Sequence, residues 1–111
     1  MTDRKLLEAA AKAAELTEKI TWWDGRFIFR SVGSLVFKEW NPLTDDGDAL
    51  RLAVKLNIDV LQHKHDKFVS VRCPTFDFDD DCIFERWGDD KLAATRRAIV
   101  RAAASIGGAA L

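Results

Sequence analysis

The stretch from Trp40 to Leu56, WNPLTDDGDALRLAVKL, constrains the fold more than any other, because it joins a backbone stop, a helix start and a wide apolar arc. Asn41-Pro42 restricts the backbone ahead of the helix. Thr44 offers a hydroxyl to the free N–H groups of a first turn, and Asp45, Asp46 and Asp48 set negative charge at its positive end. Beyond them, at ~100° per residue, Ala49, Leu52, Ala53 and Leu56 share one face. Leu50 and Val54 widen that face, and Arg51, Lys55 and Asp48 lie opposite. The spacing predicts a helix mostly buried by the rest of the protein, ending near a C-cap at Asn57.

Other elements follow from their own periodicity. Thr2 or Asp3 is placed to cap a first helix running to about Glu18, with Leu6, Leu7, Ala10, Ala13, Ala14 and Thr17 on one side. Glu8–Lys12 and Glu15–Lys19 have the favourable i,i+4 orientation on the other. Ile20–Trp23 and Arg26–Phe29 flank Asp24-Gly25, a strong two-residue hairpin signal. Adjacent Trp22 and Trp23 then face opposite sides of the strand, so one of them meets a helix layer, a partner or water. Leu35-Val36-Phe37 reads as a third strand or a covering loop, and Ile58 to Leu61 as a strand or connector. Lys67 to Cys73 alternates with period two and stops at Pro74. Phe76-Asp77-Phe78, a polar turn at Asp79-Asp80-Asp81 and a strand from Cys82 to Trp87 complete an antiparallel meander. Asp89 or Asp90 caps a last helix whose stripe is Leu92, Thr95, Ile99, Ala102, Ala103 and Ile106, ended by Gly107-Gly108.

The order of elements predicts an α+β domain: a small α/β/α sandwich, a mainly antiparallel sheet with helices packed on it, with a two-layer arrangement as the structural alternative. The 111 residues form one domain, with no linker-like stretch. Four Trp, seven Phe and 48% apolar residues supply a core, and 32% charged residues supply a surface. A net charge of −1 provides no general field for a polyanion, so nucleic-acid binding would need a local patch. The N-terminal stretch has no continuous apolar segment of a secretory signal. No apolar run approaches the length that spans a bilayer, ~20 residues. The expected location is cytosolic. Cys73 and Cys82 lack zinc-site spacing and are too few for a disulfide scaffold.

Two blocks, WNPLTDDGDALRLAVKL at Trp40–Leu56 and ATRRAIVRAAASIG at Ala94–Gly107, resemble the phage ABA sandwich domain, a family of small phage and prophage proteins. The resemblance implies helices on either side of a sheet and a setting in the host bacterial cytoplasm. It implies no activity. The family-like features that carry over are the acidic helix start, Asp45, Asp46 and Asp48, and the basic run, Arg96, Arg97 and Arg101. A bridge between the two would explain both structurally.

No complete catalytic or cofactor signature is present, so the expected function is a non-enzymatic interaction domain, with Trp40 and the same acidic and basic residues as candidate contacts and a host or phage protein as partner. Two other readings stand beside it. Arg96, Arg97 and Arg101, with Trp residues to stack on bases, suit a nucleic-acid-binding module. Asp45, Asp46 and Asp48 supply the hard oxygen ligands of a metal-dependent enzyme, although they lack the closing acidic residue of an EF-hand, and helix capping accounts for them without metal. The separate cluster Asp77, Asp79, Asp80 and Asp81 reads as a solvated turn. His63 and His65 would share a face on a strand and chelate a transition metal with a cysteine, but the HKHDK run reads more simply as a wet turn. No cofactor and no resident metal are expected. The Ala-rich first helix and the two-sided Trp placement leave room for a homodimer.

Overall fold

In the computed structural model the described residues are 2–30, 38–73 and 83–109. They form α1 (Asp3–Ala13), β1 (Ile20–Trp23), β2 (Arg26–Phe29), α2 (Asp46–Leu56), β3 (Asp59–His63), β4 (Phe68–Arg72), β5 (Ile83–Arg86) and α3 (Lys91–Ile106). The expectations for Leu35-Val36-Phe37, for Phe76 to Phe78, for the Asp79 to Asp81 turn and for Cys82 lie outside the described residues. The class is α+β, with antiparallel strands and helices packed on them.

Local chemistry sets most element ends. Asp24 and Gly25 both take positive φ, 52° and 79°, as a type I′ turn requires. That turn fixes the register Ile20↔Phe29 through Trp23↔Arg26. Lys38 to Trp40 then runs beside β2: Phe29 N–H donates to the Lys38 carbonyl, Trp40 N–H donates to the Phe27 carbonyl, and Ile28 bridges Glu39. α1 is capped by Thr2, whose hydroxyl accepts from Lys5 N–H. It ends earlier than the periodicity predicts, because Glu15 turns left-handed (φ 59°) and Leu16 N–H bonds back to the Ala11 carbonyl. The chain is thereby redirected toward β1. Glu15–Lys19 is consequently not a helical pair, and on α1 an i,i+4 ion pair joins Arg4 to Glu8 at 3.1 Å.

The start of α2 also differs by one residue. Its N-cap is Asp45, which accepts from the Asp48 N–H at 3.1 Å, while the Thr44 hydroxyl only reaches the Asn41 carbonyl at 3.5 Å. Asp48, expected on the solvent side, is 3% exposed. One carboxylate oxygen accepts from the Asn41 backbone N–H at 2.9 Å and the other from Arg51 at 2.6 Å. Asn41 in turn accepts from the Leu43 N–H through its side chain and from Thr44 and Asp45 N–H through its carbonyl. The loop before α2 is therefore folded onto the first turn of its own helix, with Pro42 fully buried inside it.

α3 is the central element. Ala94, Ala98, Ile99, Val100, Ala102, Ala103 and Ala104 are all buried, so this helix is covered on several sides rather than along the single stripe that its spacing predicts. It contacts α1, α2, β4 and β5. The α1–α3 seam is built from small side chains, and the backbones approach so closely that a Cβ on Gly107 would run into the Ala9 carbonyl. On another side lies the three-stranded sheet, ordered β3-β4-β5, which turns Val69 and Val71 inward. The cross-strand pairs Leu61↔Ser70↔Phe84 and His63↔Phe68↔Arg86 place those side chains on the opposite, outer face.

The capping and the close approach each carry a measurable cost. Asp48→Ala, which leaves the partly buried Asn41 N–H without its acceptor, lowers stability by about 1–3 kcal/mol in denaturant unfolding, Asp45→Ala by about 1 kcal/mol and Thr44→Ala by much less. Gly107→Ala pushes the α1–α3 seam apart and costs about 1–3 kcal/mol or more in the same measurement, since the obstructing atom is backbone.

Candidate interaction surface

Because α2 buries Ala49, Leu52 and Ala53, the residues at i+1 from that face are left beside it. Leu50 and Val54, one turn apart, are 64% and 68% exposed, where the helical spacing has them widening the buried arc. Leu92, in the first turn of α3, is 60% exposed although its spacing puts it on the buried stripe. Val60 of β3 reaches the same place from the sheet. Between α2, α3 and β3, Leu50, Val60 and Leu92 border a groove of about 330 Å³, with Ala53 and Ile99 in its lining. A second concavity continues along Leu50, Val54, Asn57 and Val60.

The polar side chains around the groove are already engaged. At one end Arg96, largely buried, donates through Nε to the Leu43 carbonyl at 2.8 Å and through a terminal nitrogen to Asp46 at 2.7 Å. That clamp ties α3 to the loop before α2, and it is the bridge between acidic and basic blocks that their sequence allows. Along the sheet side, the Gln62 amide donates to Thr95 Oγ1 at 2.7 Å and accepts from the Trp87 indole N–H at 2.8 Å, and Thr95 donates to the Lys91 carbonyl. Such a surface offers apolar contact and shape. It presents no poised nucleophile, base or ligand set among the described residues.

The other candidate residues are placed as follows. Trp40 is buried against Phe27, with ring centroids 6.4 Å apart, which removes its ring from reach of a partner. Of the two adjacent tryptophans, Trp22 packs edge-on to Phe27 at 4.8 Å beneath the Arg4 guanidinium, while Trp23 is the exposed one. Asp45 caps α2, Asp46 holds Arg96, and Asp48 holds Asn41 and Arg51, so the three carboxylates diverge. Arg97 lies 3.6 Å from Asp3 and 3.7 Å from Glu85. Arg101 donates to Glu85 at 2.9 Å and to the Phe84 carbonyl at 3.2 Å. All three arginines thus face carboxylates of this chain, which weakens the case for an open phosphate-binding strip.

His63 ends β3, stacked on Phe68 at 4.0 Å and hydrogen-bonded through Nε2 to Ser70 Oγ, whereas His65 is exposed in the following turn. Cys73 is buried, its thiol directed at the Ala102 carbonyl. Among the described residues no group of three or more His, Cys, Asp or Glu side chains could hold a metal ion. Among them, too, no helix is long and apolar enough to cross a membrane.

Substituting Leu50, Val54 or Leu92 with Ser is expected to change stability by no more than about 0.5 kcal/mol, whereas Leu52→Ala costs about 2–5 kcal/mol, as read from urea midpoints. Comparable losses at all four positions would mean that the exposed row is part of the core. No family model, curated protein or solved structure matches this chain, so the geometry of the groove and its surroundings carries the functional argument.

Proposed function

We propose that this chain is a non-enzymatic protein-binding domain whose docking surface is the apolar face shared by α2, β3 and α3. The observation that carries the reading is the exposure of Leu50, Val60 and Leu92 around one groove whose polar side chains are bonded within the chain, with exposed Val54 in the adjoining concavity beside Leu50 and Val60. Exposed apolar side chains gathered in this way mark contact surfaces more often than isolated ones do. Burying the Leu50 and Leu92 side chains against a partner removes apolar area from water at roughly 25 cal/mol per Å², and the polar side chains of the groove keep their partners within the chain. The likeness of Trp40–Leu56 and Ala94–Gly107 to the phage ABA sandwich domain supports a phage or prophage setting, with a host or phage protein as partner in the bacterial cytoplasm.

The test compares immobilised wild-type protein with the double variant Leu50→Glu/Leu92→Glu, both shown to be folded by circular dichroism, in extracts of a bacterial host. A protein retained by the wild type and lost from the variant is the expected result. Retention of the same set by both would remove this face as the docking surface.

A further inference from the structure

The three-stranded sheet has two outer edges, and the fold treats them differently. In an antiparallel ladder, each residue of the central strand directs both its N–H and its C=O to one neighbour, and successive residues alternate. Trp87 N–H donates to the Lys67 carbonyl, so Lys67, Val69 and Val71 bond toward β5 while Phe68, Ser70 and Arg72 bond toward β3. The partners of the latter set are His63, Leu61 and Asp59. Val60 and Gln62 therefore direct their backbone groups away from the sheet. On the far edge the same alternation turns Phe84 outward, and there Arg101 donates to its carbonyl, with Glu85 beside it. Among the described residues no strand pairs with β3 on that side, and no backbone hydrogen bond is made to the outward groups of Val60 or Gln62.

An open edge without lysine, proline or bulge is a template for another strand. The sequence Asp59-Val60-Leu61-Gln62-His63 also limits which strand fits. We infer that β3 pairs antiparallel with β3 of a second copy of this chain, about a two-fold axis at Leu61, joining the two three-stranded sheets into one. In that register Val60 faces Gln62 of the other copy, and the outward N–H and C=O groups of both residues are all satisfied. Shifting by one pair in one direction would require the N–H of Ile58, which is already given to the Ala53 carbonyl, and shifting in the other would require Lys64, which lies in the turn. The register also sets the Asp59 carboxylate opposite the His63 imidazole and no like charges opposite each other. Leu61, 59% exposed on the outer face, meets its own copy at a non-hydrogen-bonded position, where side chains approach most closely. Leu50 and Val54, which border the same edge through the concavity they share with Val60, gain cover from the second copy.

The inference rests on the reading of this face as a protein-docking surface and names the occupant of its strand edge. It is tested by sedimentation or light scattering of the whole chain across a concentration series, with circular dichroism to confirm folding. The expected mass is twice the 12.5 kDa of the chain. Val60→Pro removes an outward N–H and no bond of the β3–β4 ladder, and Leu61→Lys sets two ammonium groups across the axis. Both are expected to give folded monomers. If Val60→Pro fails to fold, Leu61→Lys decides the matter alone. Leu61→Cys is expected to form an oxidant-dependent cross-linked dimer that wild type under the same oxidant does not form. A wild type that stays monomeric throughout the series overturns the inference, as does a dimer that persists in both Val60→Pro and Leu61→Lys. The docking reading fails separately, by retention that is unchanged in Leu50→Glu/Leu92→Glu whatever the mass of the wild type.

Discussion

Asp48 is an ionisable group almost fully removed from water, and the arrangement of the α2 half of the molecule depends on it. Burying a carboxylate is costly unless hydrogen-bond donors replace its hydration. Here the Asn41 N–H, the Arg51 guanidinium and the positive end of α2 supply that replacement, with Asp45 capping the N–H of Asp48 itself. The consequence is positional. The loop from Trp40 to Thr44 cannot swing away from the helix without stranding a buried charge, so the Leu43 carbonyl is held where Arg96 of α3 reaches it. Arg51 is itself mostly exposed, so its pair with Asp48 contributes less than the fixing of the loop.

From that anchor the rest of the packing follows in sequence. Trp40, at the entry of the loop, is driven into the core against Phe27 and takes a hydrogen bond with the β2 backbone, which joins the hairpin to α2. Arg96 joins α2 to α3 at the other end. α3 then serves α1 through the small-residue seam at Gly107 and the sheet through Val69 and Val71. With its main faces covered, α3 leaves its first turn, at Leu92, outside the packing, and this is the end that reaches the groove.

Periodicity was sufficient wherever an element's conformation is decided by its own residues. The hairpin register is set by Asp24-Gly25 alone, and the strands of the meander by alternation within Phe68–Arg72 and Ile83–Arg86. It misled wherever a neighbour decides. A helical projection puts Asp48 opposite the apolar arc, but it contains no information about a loop that folds back over that side and supplies a donor. The same projection counts Leu50 and Val54 as flanks of a buried face, though no described element lies over them. A signal was available in the breadth of the arc: apolar residues at Leu50, Leu52, Ala53, Val54 and Leu56 cover more of α2 than one packing partner can bury. The charged runs were legible as a pair, since Asp46 meets Arg96, but their role is to clamp elements together.

Among the described residues, the exposed row on α2 adjoins the edge of β3 that carries no further strand. Antiparallel sheets avoid edge pairing by charge, proline, bulges or cover. The β5 edge follows that rule, with Arg101 on the Phe84 carbonyl, Glu85 beside it and Arg86 at its end. The β3 edge departs from it over Val60-Leu61-Gln62, and it departs next to the helix that leaves Leu50 and Val54 uncovered. An open edge alone, or a leucine on a helix alone, is common on protein surfaces. Their adjacency is less easily a by-product of folding, because each could be changed to a charged residue with little cost to the core. A partner that adds a strand satisfies the backbone and covers the side chains in one contact, and so accounts for both departures with a single cause.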